Sequence, residues 1–135
     1  MTFTEKWLKG IAITHIIGGM LLPIMVFTPI AAPYFNQLLE AFPQGDLTSM
    51  KFLIGVFGPT VASWGLLFYY GVGKAFQSKT PKDWWFLVFA ILAWVLLDTV
   101  YSLFFNVISH LYINGAIALL LITPLIFQKS KFSAQ

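Results

Sequence analysis

The chain has 135 residues, 59% hydrophobic and only 10% charged, with a mean hydropathy of +0.81, which excludes an ordinary soluble domain and points to an all-α integral membrane protein. Its formal charge of +3 comes from eight lysines and no arginine set against five acids, a composition that suits loops beside anionic lipid and argues against nucleic acid as a partner. With no cysteine, disulfides, thiolate catalysis and cysteine-held metal or iron–sulfur centres are excluded.

At about 20 residues per span, four spans and short loops use up residues 1–135, so a single transmembrane domain is expected. The first span is predicted at about residues 7–28. Lys6 and Lys9 before it would also suit a signal peptide, but the small-residue site Ala31-Ala32 runs directly into Pro33, and the segment is long enough to cross. Within it, "THIIGGMLLP" carries His15, the pair Gly18-Gly19, and Pro23, which has no N–H for the Gly19 carbonyl and so predicts a kink. Gly10, Thr14 and Gly18 form a small-residue face for another helix.

The outer loop, about 29–49, holds Phe35, Leu38, Leu39 and Phe42 between prolines. That spacing suits a short helix lying on the membrane surface or capping the bundle. The second span, about 50–76, repeats the device of the first: Pro59 frees the Gly55 carbonyl, and Gly58, Ala62 and Gly65 make a small face beside Ser63 and Trp64. Thr80-Pro81-Lys82-Asp83 then reads as a helix start, with Thr as N-cap, Pro at the first position and an acid by the positive dipole end. The third span is therefore placed at about 81–105, with Trp84 and Trp85 at headgroup depth and Trp7 as their counterpart on the first span. The fourth runs over about 108–127, with a milder break at Pro124, and 128–135 is expected to be a solvated, flexible cytoplasmic tail.

Four spans put Lys6, Lys9, Lys74, Lys79, Lys82, Lys129 and Lys131 on one side and leave Lys51 alone opposite, beside Glu40 and Asp46. The positive-inside rule then predicts a four-helix bundle with both termini cytoplasmic, as a multi-pass protein of a cell membrane and, from its compact all-lysine chain, a bacterial one.

The densest polar signal lies in "DTVYSLFFNVISHLYIN", where Asp98, Ser102, Asn106, His110 and Asn114 recur every four residues. A continuous helix would wind this stripe around itself, drifting about 40° per step. Yet one helix from Trp84 to Gln128 would be about 67 Å long, twice the membrane core, so the chain must turn near Asn106. Folding back there sets Ser102 level with His110 and Asp98 level with Asn114. An aspartate at such depth costs at least about 2.5 kcal/mol on insertion scales and needs partners, for which Asn114, Ser63, Tyr101 and water are the candidates. Asp98 is expected to face the bundle interior together with Trp94, Tyr101 and Ser102. An ionisable group within a span is a functional-site hypothesis by default, whereas asparagines and serines there commonly serve only to join helices.

His15 is expected about 9 Å lower than Asp98, too far for contact but within a water-linked relay, and about 15 Å in depth from His110, which argues against a bis-histidine haem. No paired-carboxylate, HExxH, GxSxG or phosphate-loop pattern occurs, so no catalytic, metal or cofactor residue is assigned. Three functions remain. The first is a proton-linked transporter or channel-like protein using Asp98, with His15, in which a homo-oligomer builds the pathway. The second is an accessory subunit of a larger membrane complex. The third is a membrane-embedded enzyme acting on a lipid or other apolar molecule, with Asp98 and His110 as acid and base and Ser102, Asn106 and Asn114 orienting them, ranked last because the depths of the pair are expected to differ by about 12 Å.

Overall fold

The computed structural model describes residues 1–132, and the last three positions of the expected tail, 133–135, lie outside the described residues. All regular structure among the described residues is helical: α1 (Phe3–Met25), α2 (Ala32–Ala41), α3 (Leu47–Ser78), α4 (Pro81–Phe104) and α5 (Ile108–Gln128), with single 3-10 turns at Pro29–Ala31 and Lys129–Lys131. Helices α1, α3, α4 and the stretch Ile108–Lys131 are each long and apolar enough to cross a membrane. They run alternately up and down, so the described ends of the chain share one end of the bundle, here the terminal end. The loop carrying α2 and the α4–α5 turn lie at the opposite, distal end.

Local chemistry sets the boundaries. Thr2 caps α1 by accepting from the Glu5 N–H at 3.2 Å, and Asp46 caps α3 by accepting from the Ser49 N–H at 2.7 Å. Thr80 accepts from the Asp83 N–H at 3.2 Å while Pro81 opens α4, and Asp83 Oδ2 in turn accepts from the Thr80 hydroxyl at 2.6 Å. Between α3 and α4, Lys79 takes a left-handed conformation with φ 53°. Asn106 does the same at φ 60° between α4 and α5, where its short polar side chain tolerates a conformation most residues avoid. Both α1 and α3 continue through their prolines, Pro23 and Pro59.

The bundle is two helix pairs, α1 with α3 and α4 with α5, that meet over a smaller area. The first pair is backbone against backbone: a Cβ on Gly58 would lie 2.5 Å from the Gly19 carbonyl oxygen and 2.9 Å from Pro23 Cδ. Gly65 is equally tight, at 2.9 Å from the Ala12 carbonyl oxygen. The α3 small face is thus used within the chain. The face expected on α1 is not: Gly10 and Gly18 have open space around them, and the α1 glycine in the interface is Gly19. The expected and actual positions are one residue apart, about 100° of rotation.

The main core fills the terminal half, from Leu8 and Ala12 on α1 through Val72, Leu87 and Ile91 to Leu121 and Leu125. It corrects two expectations. Phe132 is buried at 3% exposure against Phe76, so the tail is packed at least to that residue. Trp84 is also buried rather than wet, and its indole N–H donates to the Leu125 carbonyl at 2.8 Å, whereas Trp85 is exposed. Pro124 has no N–H for the Leu120 carbonyl, and the Trp7 indole donates there at 3.0 Å. Trp7→Phe therefore lowers stability by about 1 kcal/mol. The loss shrinks in a Pro124→Ala background, where a backbone N–H is restored to Leu120. A double-mutant cycle of unfolding in mild detergent checks this coupling.

A second cluster, Val26, Phe35, Leu38 and Val107, holds α2 over the distal end, with Phe42 against Phe105 at 5.4 Å between ring centroids. α2 thus packs as a cap on the distal end of the bundle.

Candidate functional site

Asp98 and Ser102 are four residues apart on α4 and therefore share a face. After them the Val107 N–H bonds the Ser102 carbonyl at 2.9 Å, closing the turn through Asn106 that starts α5. Val107 offers no side-chain cap, so the first N–H groups of α5 need other acceptors. One is supplied by α2: Gln37 Oε1 accepts from the Ser109 N–H at 3.1 Å. The cap helix is thereby fixed above the first turn of α5, which carries His110.

The imidazole of His110 is engaged on both nitrogens. Its Nδ1 lies 2.7 Å from Ser102 Oγ and 3.2 Å from Asp98 Oδ2, and its Nε2 lies 3.0 Å from the Tyr34 hydroxyl of α2. The Tyr34 and His110 rings are parallel within 3°, with centroids 5.7 Å apart. One turn further along α5, Asn114 Nδ2 donates to Asp98 Oδ2 at 2.5 Å and to Thr99 Oγ1 at 3.0 Å. Burial is graded across the group: Asn114 and Ser102 are buried, at 2% and 6% exposure, while the Asp98 and His110 side chains are 33% and 27% exposed. Burial, and behind it the negative charge of Asp98, raises the Tyr34 phenol above its ordinary value of 10. Tyr34 accordingly keeps its proton and serves as a hydroxyl, not as a charge.

The hairpin brings together Asp98, Ser102, His110 and Asn114, in the two pairs that the four-residue register implies. The remaining candidates lie elsewhere. Asn106 is exposed in the turn itself. Tyr101 is 68% exposed and packs on Phe105 at the surface, because it is rotated about 100° from Ser102 and so leaves the face that meets α5. Ser63 is exposed for the same reason, one position from the buried Ala62. His15 meets Trp64 and Trp94, at 4.9 and 6.4 Å between ring centroids, not the Asp98 group.

The separation expected between Asp98 and His110 is also overturned. Reversal at Asn106 leaves them only four residues out of register, about 6 Å of rise, and the two side chains close that gap to a direct contact at 3.2 Å. Tyr34, Gln37 and Thr99 are members that the sequence reading missed. Tyr34 and Gln37 reach the site from more than 70 residues away, and no periodicity in the loop distinguishes them.

Chemically the group is a chain of proton-carrying atoms. Asp98 and Ser102 meet the same imidazole nitrogen, whereas a serine nucleophile needs its hydroxyl and the orienting acid on opposite nitrogens. With both nitrogens partnered, the ring instead links Asp98 on one side to the Tyr34 hydroxyl on the other. Among the described residues, no three His, Asp or Glu side chains converge as a metal site. No protein-family model, curated protein or solved structure matches the chain, so the reading of this site rests on its geometry alone.

Proposed function

We propose that the chain crosses a bacterial cytoplasmic membrane four times with both ends in the cytoplasm, and that it couples movement of a small solute to protonation of Asp98. The membrane reading is supported by the exposure of Ile13, Ile17, Met20 and Ile24 on the outside of α1, apolar side chains that water would not tolerate in such number. The orientation is supported by the lysines, seven of which lie at the terminal end of the bundle. The observation that carries the function is His110 bridging Asp98 Oδ2 at 3.2 Å and the Tyr34 hydroxyl at 3.0 Å. This gives the acid a short polar route through the imidazole to the distal, here external, end.

An accessory-subunit role does not call for such a route. The enzyme reading regains its distance but not its nucleophile, since Ser102 and Asp98 share one nitrogen. Four helices in two pairs enclose no pathway alone, and we assign the open α1 face of Gly10, Thr14 and Gly18 to a second copy of the chain.

The test uses protein reconstituted in liposomes with an entrapped pH dye, an imposed potential, and a low-molecular-weight cell extract outside as the source of solute. Acidification faster than in protein-free liposomes is expected, and equal rates overturn the proposal. Tyr34→Phe removes the hydroxyl beyond His110 and slows the same acidification severalfold, because the proton must then find water directly.

A further inference from the structure

His15 has no role in the Asp98 group, yet it lies midway along α1 among aromatic side chains. Its Nδ1 is 2.9 Å from the Ile11 carbonyl oxygen, which can only accept, so Nδ1 carries the proton. In the neutral ring Nε2 is then a bare lone pair, and it makes no hydrogen bond among the described residues. The ring lines a cavity of about 140 Å³ between α1, α3 and α4, with Phe57, Thr60, Val61, Trp64 and Trp94. Trp64 and Trp94 adjoin each other in its lining, with centroids 6.0 Å apart and rings tilted by 42°.

We infer that this cavity binds an apolar aromatic ring bearing one hydrogen-bond donor, a phenol, whose hydroxyl donates to His15 Nε2. Size sets the first limit, since a cavity of about 150 Å³ accepts one benzene ring. The walls set the second: indole, phenyl and imidazole faces favour an aromatic ring through edge and offset contacts. The lone pair decides the polar end. An acceptor facing an otherwise apolar space is unfavourable until a donor meets it. A quaternary ammonium would suit the tryptophans but has no proton to give. Trp94 lies one turn before Asp98 on α4, but the phenol site does not depend on the proton-linked reading.

The test compares 4-fluorophenol with 4-fluorotoluene by fluorine NMR of the protein in bicelles. Affinities are expressed per mole fraction in the lipid phase, so that partitioning cancels. The phenol binds saturably and about fivefold to tenfold tighter than the toluene in the unaltered protein. The preference disappears in His15→Phe, which keeps the ring and removes the acceptor. Equal affinities in the unaltered protein, or a preference that survives His15→Phe, overturn the inference. The first comparison needs no variant to fold.

Discussion

Replacing Asp98 by Asn reduces proton-linked acidification to the rate of protein-free liposomes while leaving the fold in place. The two effects separate because the amide is nearly the same shape as the carboxyl. Asn114 Nδ2 and His110 Nδ1 both meet Asp98 Oδ2, at 2.5 and 3.2 Å, and an amide oxygen in that place still accepts from Asn114 and faces His110. What is lost is the ability to take up and release a proton. Asp98→Leu loses transport as well, but it also strips His110 and Asn114 of a shared partner, each contact worth about 0.6 to 2 kcal/mol within an apolar bundle. Flux and unfolding measured on the same two preparations therefore distinguish a proton carrier from a structural acid. If Asp98→Asn keeps wild-type flux, Asp98 is structural.

The largest stability effect is expected from adding one methyl group between α1 and α3. In Gly19→Ala the new Cβ meets the Ala62 backbone nitrogen and lies 2.5 Å from the Gly58 carbonyl oxygen. Both obstacles are backbone, so no rotamer relieves the clash and the helices must separate. The cost is about 3 kcal/mol, the upper part of the range for overpacking. Its neighbour gives the control: a methyl group on Gly18 would meet nothing within 4 Å, and Gly18→Ala is neutral or slightly stabilising through helix propensity. Combining Gly19→Ala with Gly58→Ala costs less than the sum, since both press on one contact. Equilibrium unfolding of these variants and of Gly58→Ala alone in mixed detergent reads all of these differences.

The polar hairpin was legible because it needs only local quantities. Rise per residue, the length of an apolar run and one turn suffice to pair Ser102 with His110 and Asp98 with Asn114. Helix starts were legible for the same reason, as at Thr80-Pro81, where the capping hydroxyl and the proline act on their own neighbours.

Rotation about each helix axis was not legible. In a chain apolar on every side, hydrophobic periodicity no longer separates inside from outside. Nothing in the spacing therefore turns Tyr101 and Ser63 outward, or prefers Gly19 to Gly18. Small residues recur at similar spacing on α1 and α3, and only the partner decides which set is used. Tyr34 and Gln37 were missed because their role arises from the docking of α2 over the α4–α5 turn. That tertiary contact leaves no trace in the spacing of the loop.

Infrared difference spectroscopy of the reconstituted protein across a pH step follows the exchange of the Asp98 proton through His110 and Tyr34. A protonated-carboxyl band is expected that responds to external pH, vanishes in Asp98→Asn, and equilibrates more slowly in Tyr34→Phe. A band that is absent, unchanged by Asp98→Asn, or equally fast without the Tyr34 hydroxyl would contradict that exchange.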